Sequence, residues 1–306
     1  MDGGQLEAGT TEPVETVAGT HRFRWGARTY VMAILNVTPD SFSGDGVGSS
    51  LAGAIDRAAW AVSSGADILD VGGESTRPGA DVVTVEEEIE RVVPVVGALA
   101  ERFDLPISVD TYKAIVAEAA LDAGADLVND VWGLRLDPDM APLVARRGVP
   151  AIIMHNRSDM ARVARHADLG TWYTEIEYGD LLSDVATELV ASVEIALRAG
   201  VERSKIILDP GIGFGKTVSQ NLRLIDGIGK LRRLGYPLLI GPSRKSFIGK
   251  TLGLPPEERL EGTAAAVAIG IARGADIVRV HDVGFMSRVA RMADALVRPS
   301  SEDREL

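Results

Sequence analysis

Cysteine is absent from the 306-residue chain, which excludes a disulfide framework, thiolate catalysis and a zinc–thiolate site. Long apolar runs are also missing, since no stretch approaches the roughly 18 residues that a membrane-spanning helix needs. The N-terminal segment lacks the basic start and the apolar core of a secretory signal. These absences predict a cytoplasmic protein with no membrane partner.

Basic residues are outnumbered, because 32 Lys and Arg stand against 44 Asp and Glu and give a formal net charge of −12. An acidic surface disfavours nucleic acid as a partner. We expect a disordered acidic tail at 1–20 and a polar tail at 299–306. A single domain would then occupy residues 21–298.

Short apolar runs rich in Ile, Leu and Val recur along the chain, and each ends on a polar residue or a turn-forming glycine. Such runs are typical of parallel strands buried on both faces. The eight runs are Tyr30–Asn36, Asp67–Gly72, Pro106–Asp110, Asp126–Asp130, Pro150–Asn156, Lys205–Asp209, Pro237–Gly241 and Asp276–His281. The tripeptide Gly-Ala-Asp occurs at 65–67, 124–126 and 274–276, and each time its aspartate is the first residue of a run. This recurrence indicates one repeated structural unit.

Stretches with helical periodicity separate these runs, so the sequence predicts a (β/α)8 TIM barrel. A short β-hairpin is expected before it, at His21–Val31. The alternative is an open doubly wound sheet, which is disfavoured because no G-x-G-x-x-G follows the first strand.

Basic residues collect at the ends of the last two predicted strands. Arg279 and His281 share one face of a strand, while Val280 points the other way. Loops after strands seven and eight are the usual phosphate site of this fold, and Ser243–Lys245 follows strand seven. We therefore predict a phosphate or diphosphate site here. The alternative is that Arg244 and Lys245 form a solvated surface pair.

Acidic and amide side chains end the third, fourth and sixth strands, at Asp110, Asn129 and Asp209. Burying them is costly unless they are paired. A flat heterocycle with adjacent N–H donors would bond a carboxylate through two parallel hydrogen bonds, which predicts a pterin-like or purine-like ligand at Asp209 and Asn129. The alternative is that these residues cap helices or bond backbone groups.

The loops after the first two strands are rich in turn formers. The first, Asn36–Gly46, offers hard oxygen ligands of the kind that Mg²⁺ takes together with substrate phosphates, although it also fits an ordinary turn. The second, Asp70–Gly79, places Arg77 among turn formers, as in loops that close over ligands. An exposed salt bridge is the equal alternative for Arg77.

A glycine-rich segment and a histidine resemble functional motifs, but their spacing and strand face do not support a nucleotide-binding loop or a catalytic histidine. The segment Asp209–Lys216 is glycine-rich, but its spacing departs from a P-loop because Pro210 stands where glycine is required. Phe214 within it is a candidate to lie against a bound ring. His155 shares a strand face with Ile153, so it is predicted to be structural, whereas Met154 points into the pocket.

The strand-end segments resemble those of the dihydropteroate synthase family. Seven segments match in order and span about Tyr30–Val297, which is far more specific than any one of them alone. They are Asn36–Phe42, Asp70–Gly79, Ser108–Lys113, Val128–Val131, Leu208–Phe214, Gly241–Gly249 and Arg279–Val283.

This resemblance implies a homodimer that condenses 6-hydroxymethyl-7,8-dihydropterin diphosphate with 4-aminobenzoate, giving 7,8-dihydropteroate and diphosphate with the help of Mg²⁺. It implies catalytic roles for Lys245, Asp110 and Arg279. The implied pterin site is Asp110, Asn129, Met154, Asp209, Phe214, Lys245 and Arg279. The implied diphosphate site is Asn36, Thr76, Arg279 and His281, with Asn36 also reaching Mg²⁺. The 4-aminobenzoate site and its loop would comprise Thr76, Arg77, Pro78 and Ser246.

The first loop departs from the family pattern. It reads Ser43-Gly44-Asp45-Gly46, so its carboxylate comes one residue later than in many members, and a metal-binding role for Asp45 stays open. Two other functions also stay open. A pterin-binding methyltransferase domain would have no use for a diphosphate site, and a non-catalytic pterin-binding paralogue would bind without turnover.

Overall fold

The computed structural model describes residues 14–37, 51–75, 83–158, 163–166, 170–174 and 176–298. Its strands are β1 Glu15–Ala18, β2 His21–Arg24, β3 Tyr30–Asn36, β4 Ile68–Gly72, β5 Ile107–Asp110, β6 Leu127–Asp130, β7 Ala151–Met154, β8 Val163–His166, β9 Gly170–Tyr173, β10 Ile206–Asp209, β11 Leu239–Ile240 and β12 Ile277–Val280. Its α-helices are α1 Leu51–Ser63, α2 Val85–Arg102, α3 Ala114–Asp122, α4 Met140–Arg147, α5 Leu181–Arg198, α6 Val218–Gly227, α7 Ser246–Leu252, α8 Leu260–Ala272 and α9 Val283–Val297.

Eight strands form one sheet in the order β10, β7, β6, β5, β4, β3, β12, β11, and every pairing within it is parallel. A parallel bridge between Leu208 and Leu238 joins the two ends of that order. The sheet therefore closes into the predicted (β/α)8 barrel, and an open doubly wound sheet is excluded. Each of the eight predicted runs contains one of these strands.

Each Gly-Ala-Asp tripeptide follows a helix, and its aspartate forms a hydrogen bond to the backbone of a neighbouring strand region. Their glycines all adopt left-handed backbone conformations, with φ values of 97°, 112° and 107° at Gly65, Gly124 and Gly274. Each aspartate then accepts a hydrogen bond from a backbone N–H of an adjacent strand. These bonds are Val31 N to Asp67 at 2.8 Å, Ile107 N to Asp126 at 2.9 Å and Leu238 N to Asp276 at 3.0 Å.

The N-terminal hairpin exists, but its predicted position was wrong. It is formed by β1 and β2, whereas Tyr30 and Val31 belong to the first barrel strand and pair with β12. The aromatic side chains Phe23 and Tyr30 belong to the same buried cluster as the apolar residues inside the barrel. The hairpin therefore covers the amino-terminal end of the barrel, and Glu15–Ala18 are part of it. The tail predicted at 1–20 thus overlaps β1. Residues 1–13 and 299–306 lie outside the described residues, and the tails there stay predictions.

A second hairpin, β8 with β9, lies in the connection between β7 and α5. The sequence did not predict it. Among the described helices, none combines the length and the apolar character that crossing a membrane would require.

Candidate active site

A layer of polar side chains lies next to an apolar layer inside the barrel. The apolar layer includes Ile68, Leu127, Ile152, Ile207, Leu239 and Ile277. Because side chains alternate along a strand, the residue two positions further toward the carboxyl end also points inward. Those residues are Asp70, Asn129, Met154, Asp209, Gly241 and Arg279. The alternation therefore places the acidic, amide and basic side chains of this set at the carboxyl-terminal mouth of the barrel, where such folds have their active sites.

Arg279 joins two carboxylates from different strands. Its Nε donates to Asp70 Oδ2 at 2.5 Å and its Nη2 donates to Asp110 Oδ2 at 2.5 Å. Burial opposes the charged form of Arg279, but Asp70 and Asp110 outweigh that effect and raise its pKa. Burial conversely raises the pKa of Asp110, and Arg279 opposes that rise. The arrangement holds one cation between two acids, with its side chain 19% exposed to the pocket.

Asp70 belongs to the candidate site by its contacts, and the sequence reasoning missed it. Its side chain is fully buried, and Asp70 Oδ2 accepts a hydrogen bond from Asn129 Nδ2 at 3.3 Å in addition to that from Arg279. One oxygen thus fixes both a cation and an amide of the predicted pterin site. The signal was available, because Asp70 stands two residues after the inward-facing Ile68.

Two buried oxygens of this cluster have no hydrogen-bond donor among the described residues. They are Asp70 Oδ1 and Asp110 Oδ1. A buried acceptor left unpaired costs about 1–3 kcal/mol, so these oxygens suit a ligand that brings N–H groups into the pocket.

Asp209 lies beside Met154 on the neighbouring strand and is 6% exposed. Its Oδ1 accepts a hydrogen bond from the Gly211 backbone N–H at 2.7 Å. Burial raises the pKa of Asp209 to about 6, and this backbone bond together with Lys245 opposes the rise. Lys245 Nζ lies 4.0 Å from the centre of the Phe214 ring. Met154, Asp209, Phe214 and Lys245 therefore come together at one side of the barrel mouth.

The ends of β11 and β12 meet at Ser243 and His281. Ser243 Oγ lies 3.0 Å from His281 Nδ1 and accepts from the His281 backbone N–H at 3.2 Å. Arg244, by contrast, lies at the surface and forms an ion pair with Asp282. For Arg244 this agrees with the alternative prediction of a solvated surface position. Lys245 is half-buried against Phe214 and precedes Ser246, the first residue of α7. Of the predicted anion site, Ser243, Lys245, Arg279 and His281 remain candidates.

Asn36 ends β3 and pairs in register with Gly72, which itself pairs with Asp110. Its amide thus lies at the level of the acids, on the first-strand side of the mouth. Thr76, Arg77, Pro78 and Asp45 lie outside the described residues. Within the described ranges there is no group of three or more His, Asp or Glu side chains that would hold a metal ion. A magnesium ion carried mainly by water and substrate phosphates needs only one or two protein groups, and Asn36 fits that requirement.

The sequence profile described as pterin binding enzyme matches residues 32–281. The dihydropteroate synthase of Clostridium beijerinckii is 50% identical over 281 residues, which cover 92% of this chain and 98% of that protein. The dihydropteroate synthase structure from Clostridium difficile, solved in the presence of pteroic acid, is 47% identical with a TM-score of 0.82 and covers 90% of this chain and 99% of its own. That of Xanthomonas albilineans, solved with 4-aminobenzoic acid, is 39% identical with a TM-score of 0.83 and covers 94% and 98%.

The closed barrel, the acids at its carboxyl-terminal mouth and the matched profile define a class, and the chain belongs to the pterin binding enzyme family. Within that family it stands with the dihydropteroate synthases, and it is accordingly a transferase of folate biosynthesis.

Proposed function

We propose that the barrel mouth condenses 6-hydroxymethyl-7,8-dihydropterin diphosphate with 4-aminobenzoate, and that the residues described above carry the reaction. One observation supports this most: the carboxylates of Asp110 and Asp209 and the basic groups of Arg279 and Lys245 lie within electrostatic reach of one another at the barrel mouth. Structures of relatives solved with pteroic acid and with 4-aminobenzoic acid support the same substrates. A methyltransferase or a non-catalytic paralogue has no comparable support.

In this reaction the bond between the pterin methylene carbon and the diphosphate oxygen breaks, and its electron pair leaves with diphosphate. The 4-aminobenzoate nitrogen forms the new bond to that carbon and releases a proton to solvent. Positive charge develops on the heterocycle while the bond breaks, so the carboxylates of Asp110 and Asp209 stabilise it. Arg279 and Lys245 stabilise the departing anion, a preorganised electrostatic effect that is worth several kcal/mol in enzymes.

The remaining roles are proposed from the positions of the described side chains and, for Thr76, Arg77 and Pro78, from the family resemblance alone. Asp209 and Asn129 would accept and donate hydrogen bonds at the edge of the heterocycle, with Met154 and Phe214 as apolar walls. His281 and Ser243 would bind the diphosphate beside Arg279. Ser246 would border the 4-aminobenzoate, together with Thr76, Arg77 and Pro78 of the second loop.

Magnesium is proposed as the cofactor, with Asn36 as its protein ligand and Asp45 as a further candidate. When bound, the ion neutralises part of the charge on the diphosphate. The cytoplasm is the proposed location, and dihydropterin diphosphate and 4-aminobenzoate are the proposed small-molecule partners.

The direct test is diphosphate release by the purified protein with both substrates, measured with and without Mg²⁺ and with and without 4-aminobenzoate. We expect release that requires 4-aminobenzoate and yields dihydropteroate in equal amount. Diphosphate release that is independent of 4-aminobenzoate, or pterin binding without any release, would contradict the proposal.

The ionisation of Asp209 predicts a pH dependence of pterin binding. The carboxylate form accepts the substrate N–H groups, and burial raises the pKa of this carboxyl to about 6. The fraction in the binding form therefore falls as the pH drops below that value, and the dissociation constant of a pterin without phosphate should rise about tenfold per pH unit there. Fluorescence titration from pH 5 to pH 8 measures this dependence, and an affinity that stays constant over the range would refute it.

The homodimer is proposed to form through α8 and α9. A groove of about 360 Å³ runs between these helices and is lined by Ala268, Ala272, Phe285, Val289, Met292 and Leu296. Met292 and Leu296 are 61% and 69% exposed. Contiguous apolar surface of this kind marks an interaction site more often than a free surface, and a second copy of the chain is the partner that the family implies.

Replacing Met292 with aspartate should therefore convert the protein to a monomer, because a buried unpaired charge in the centre of an interface is strongly unfavourable. Sedimentation velocity measures the outcome. Ile115 on α3 is 62% exposed and serves as the matched control, since Ile115→Asp should leave the dimer unchanged. A wild-type monomer, or a Met292→Asp dimer as tight as wild type, would be the contrary result.

A further inference from the structure

Lys216 is buried behind the pocket, and the proposed reaction leaves it without a role. It is 1% exposed, and among the described residues it is the largest side chain that is fully buried. Its Nζ lies 2.9 Å from each of three acceptors, Gly211 O, Phe214 O and His155 Nδ1. An ammonium group has three donors and no acceptor, so these three partners use its full hydrogen-bonding capacity. Lysine is almost never fully buried without such pairing.

The two backbone carbonyls that Lys216 holds belong to the turn between β10 and α6. This turn is left-handed at Gly211 and Gly213, with φ values of 70° and 85°. A Cβ at Gly211 would stand 1.9 Å from His155 O, and one at Gly213 would stand 2.8 Å from Lys245 Cδ. The backbone therefore passes very close to its neighbours. Ile212 packs in the core and Asn221 Oδ1 accepts from the Gly213 N–H, while Lys216 holds the carbonyls at both ends of this tight segment, Gly211 O and Phe214 O.

The same turn presents two groups of the pterin site. Gly211, whose carbonyl accepts from Lys216, donates its N–H to Asp209 Oδ1 at 2.7 Å. Phe214, whose carbonyl also accepts from Lys216, places its ring 4.0 Å from Lys245 Nζ. Lys216 thus bonds the backbone of Phe214 directly, and it is linked to the Asp209 carboxylate through Gly211.

His155 ties this arrangement to the helical layer. Its Nδ1 lies 2.9 Å from Lys216 Nζ and its Nε2 lies 3.1 Å from Glu188 Oε2 on α5, which fits a ring that accepts from Lys216 and carries its proton on Nε2. Burial lowers the pKa of His155 to about 4, with Lys216 adding to the effect, so the imidazole is neutral. Glu188 in turn pairs with Arg157. This explains why His155 is structural and points away from the pocket.

We propose that Lys216 is a positioning residue for the heterocycle, because it fixes the turn that orients Asp209 and Phe214 without touching the substrate itself. The inference deepens the proposed function and rests on it for the identity of the heterocycle. It separates the two substrates, since Lys216 should matter for the pterin and not for 4-aminobenzoate.

The test replaces Lys216 with methionine, which keeps the length of the side chain and removes its donors. We expect KM for dihydropterin diphosphate, and the dissociation constant of a pterin without phosphate, to rise by about tenfold or more. KM for 4-aminobenzoate should stay within about twofold of the wild-type value. Lys205→Met is the matched control. Lys205 Nζ also donates to a backbone carbonyl, that of Val17 at 2.6 Å, but at the opposite end of the barrel, so neither constant should change.

A general structural role would give a different result. Equal changes in both KM values, or a lower melting temperature with both constants unchanged, would overturn the proposal. If Lys216→Met does not fold, His155→Phe decides by the same criterion, because it removes one acceptor of the three while filling the space. We expect it to weaken pterin binding about threefold with an unchanged KM for 4-aminobenzoate, and pterin binding equal to wild type would again overturn the proposal. The pterin dissociation constant needs no turnover, so a failure of the proposed function is distinguishable from a failure of this inference.

Discussion

Asp209→Ala should lower kcat/KM for dihydropterin diphosphate by roughly a thousandfold. Hydrogen bonds to a charged group contribute about 1.5–3 kcal/mol each, and the Asp209 carboxylate is proposed to accept two of them from the edge of the heterocycle. The loss should appear mainly as weaker pterin binding. Steady-state kinetics with each substrate varied in turn measures the effect.

The controls for this prediction separate charge from position. Asp226→Ala removes a carboxylate whose side chain is 72% exposed and pairs with Arg273 on the surface, and activity should not change because such pairs contribute little. Asp209→Asn keeps one acceptor and should be intermediate. An Asp209→Ala enzyme that retains more than a tenth of wild-type kcat/KM would show that the acid does not hold the substrate.

Arg279→Met should reduce the free energy of unfolding by about 3–5 kcal/mol, because removing one partner of a buried ion pair leaves uncompensated charge. Here the charge left behind comprises the carboxylates of Asp70 and Asp110, which both bond the guanidinium. The same variant should lose turnover, since the departing diphosphate also loses its cation. Chemical denaturation followed by circular dichroism gives the stability change.

The stability deficit of Arg279→Met should depend on pH in a defined direction. Burial raises the pKa of Asp110 above that of the unfolded chain, and loss of the guanidinium, which opposes this rise, raises it further. The folded state then binds protons more tightly, so its stability rises as the pH falls toward the unfolded pKa of about 4. The deficit relative to wild type should be smaller at pH 5 than at pH 8, and an equal or larger deficit at pH 5 would be contrary evidence. Arg244→Met, which breaks an exposed pair with Asp282, should cost less than about 1 kcal/mol at either pH.

Much of the fold was predictable because parallel strands buried on both faces leave a strong sequence signal. Each predicted run contains a barrel strand. The alternation at Arg279-Val280-His281 predicted correctly that Val280 faces the helices, since Val280 belongs to the core cluster that contains the helical side chains. The hairpin was misplaced for a physical reason. The run from His21 to Val31 alternates well enough for a strand pair, but pairing of Tyr30 with Ile277 depends on a contact distant in sequence.

The candidate site was only partly predictable for the same reason. Asp110 and Asp209 end their strands and Asn129 is the next-to-last residue of β6, and all three were predicted from those positions alone. Asp70 lies in the middle of β4, and its importance comes from Arg279, which is far away in sequence. Lys216 likewise looked like part of a failed P-loop motif. Its role depends on His155, a partner that no local pattern identifies.

The central claim is that one cavity holds the heterocycle with acids on one side and its diphosphate with basic groups on the other. The most direct measurement compares dissociation constants for dihydropterin diphosphate and for the corresponding alcohol in wild type, Asp209→Ala and His281→Ala. We predict that Asp209→Ala weakens both ligands by the same factor, whereas His281→Ala weakens the diphosphate and leaves the alcohol unchanged. If Asp209→Ala affected the diphosphate alone, or His281→Ala weakened both ligands equally, the proposed division of the site would be wrong.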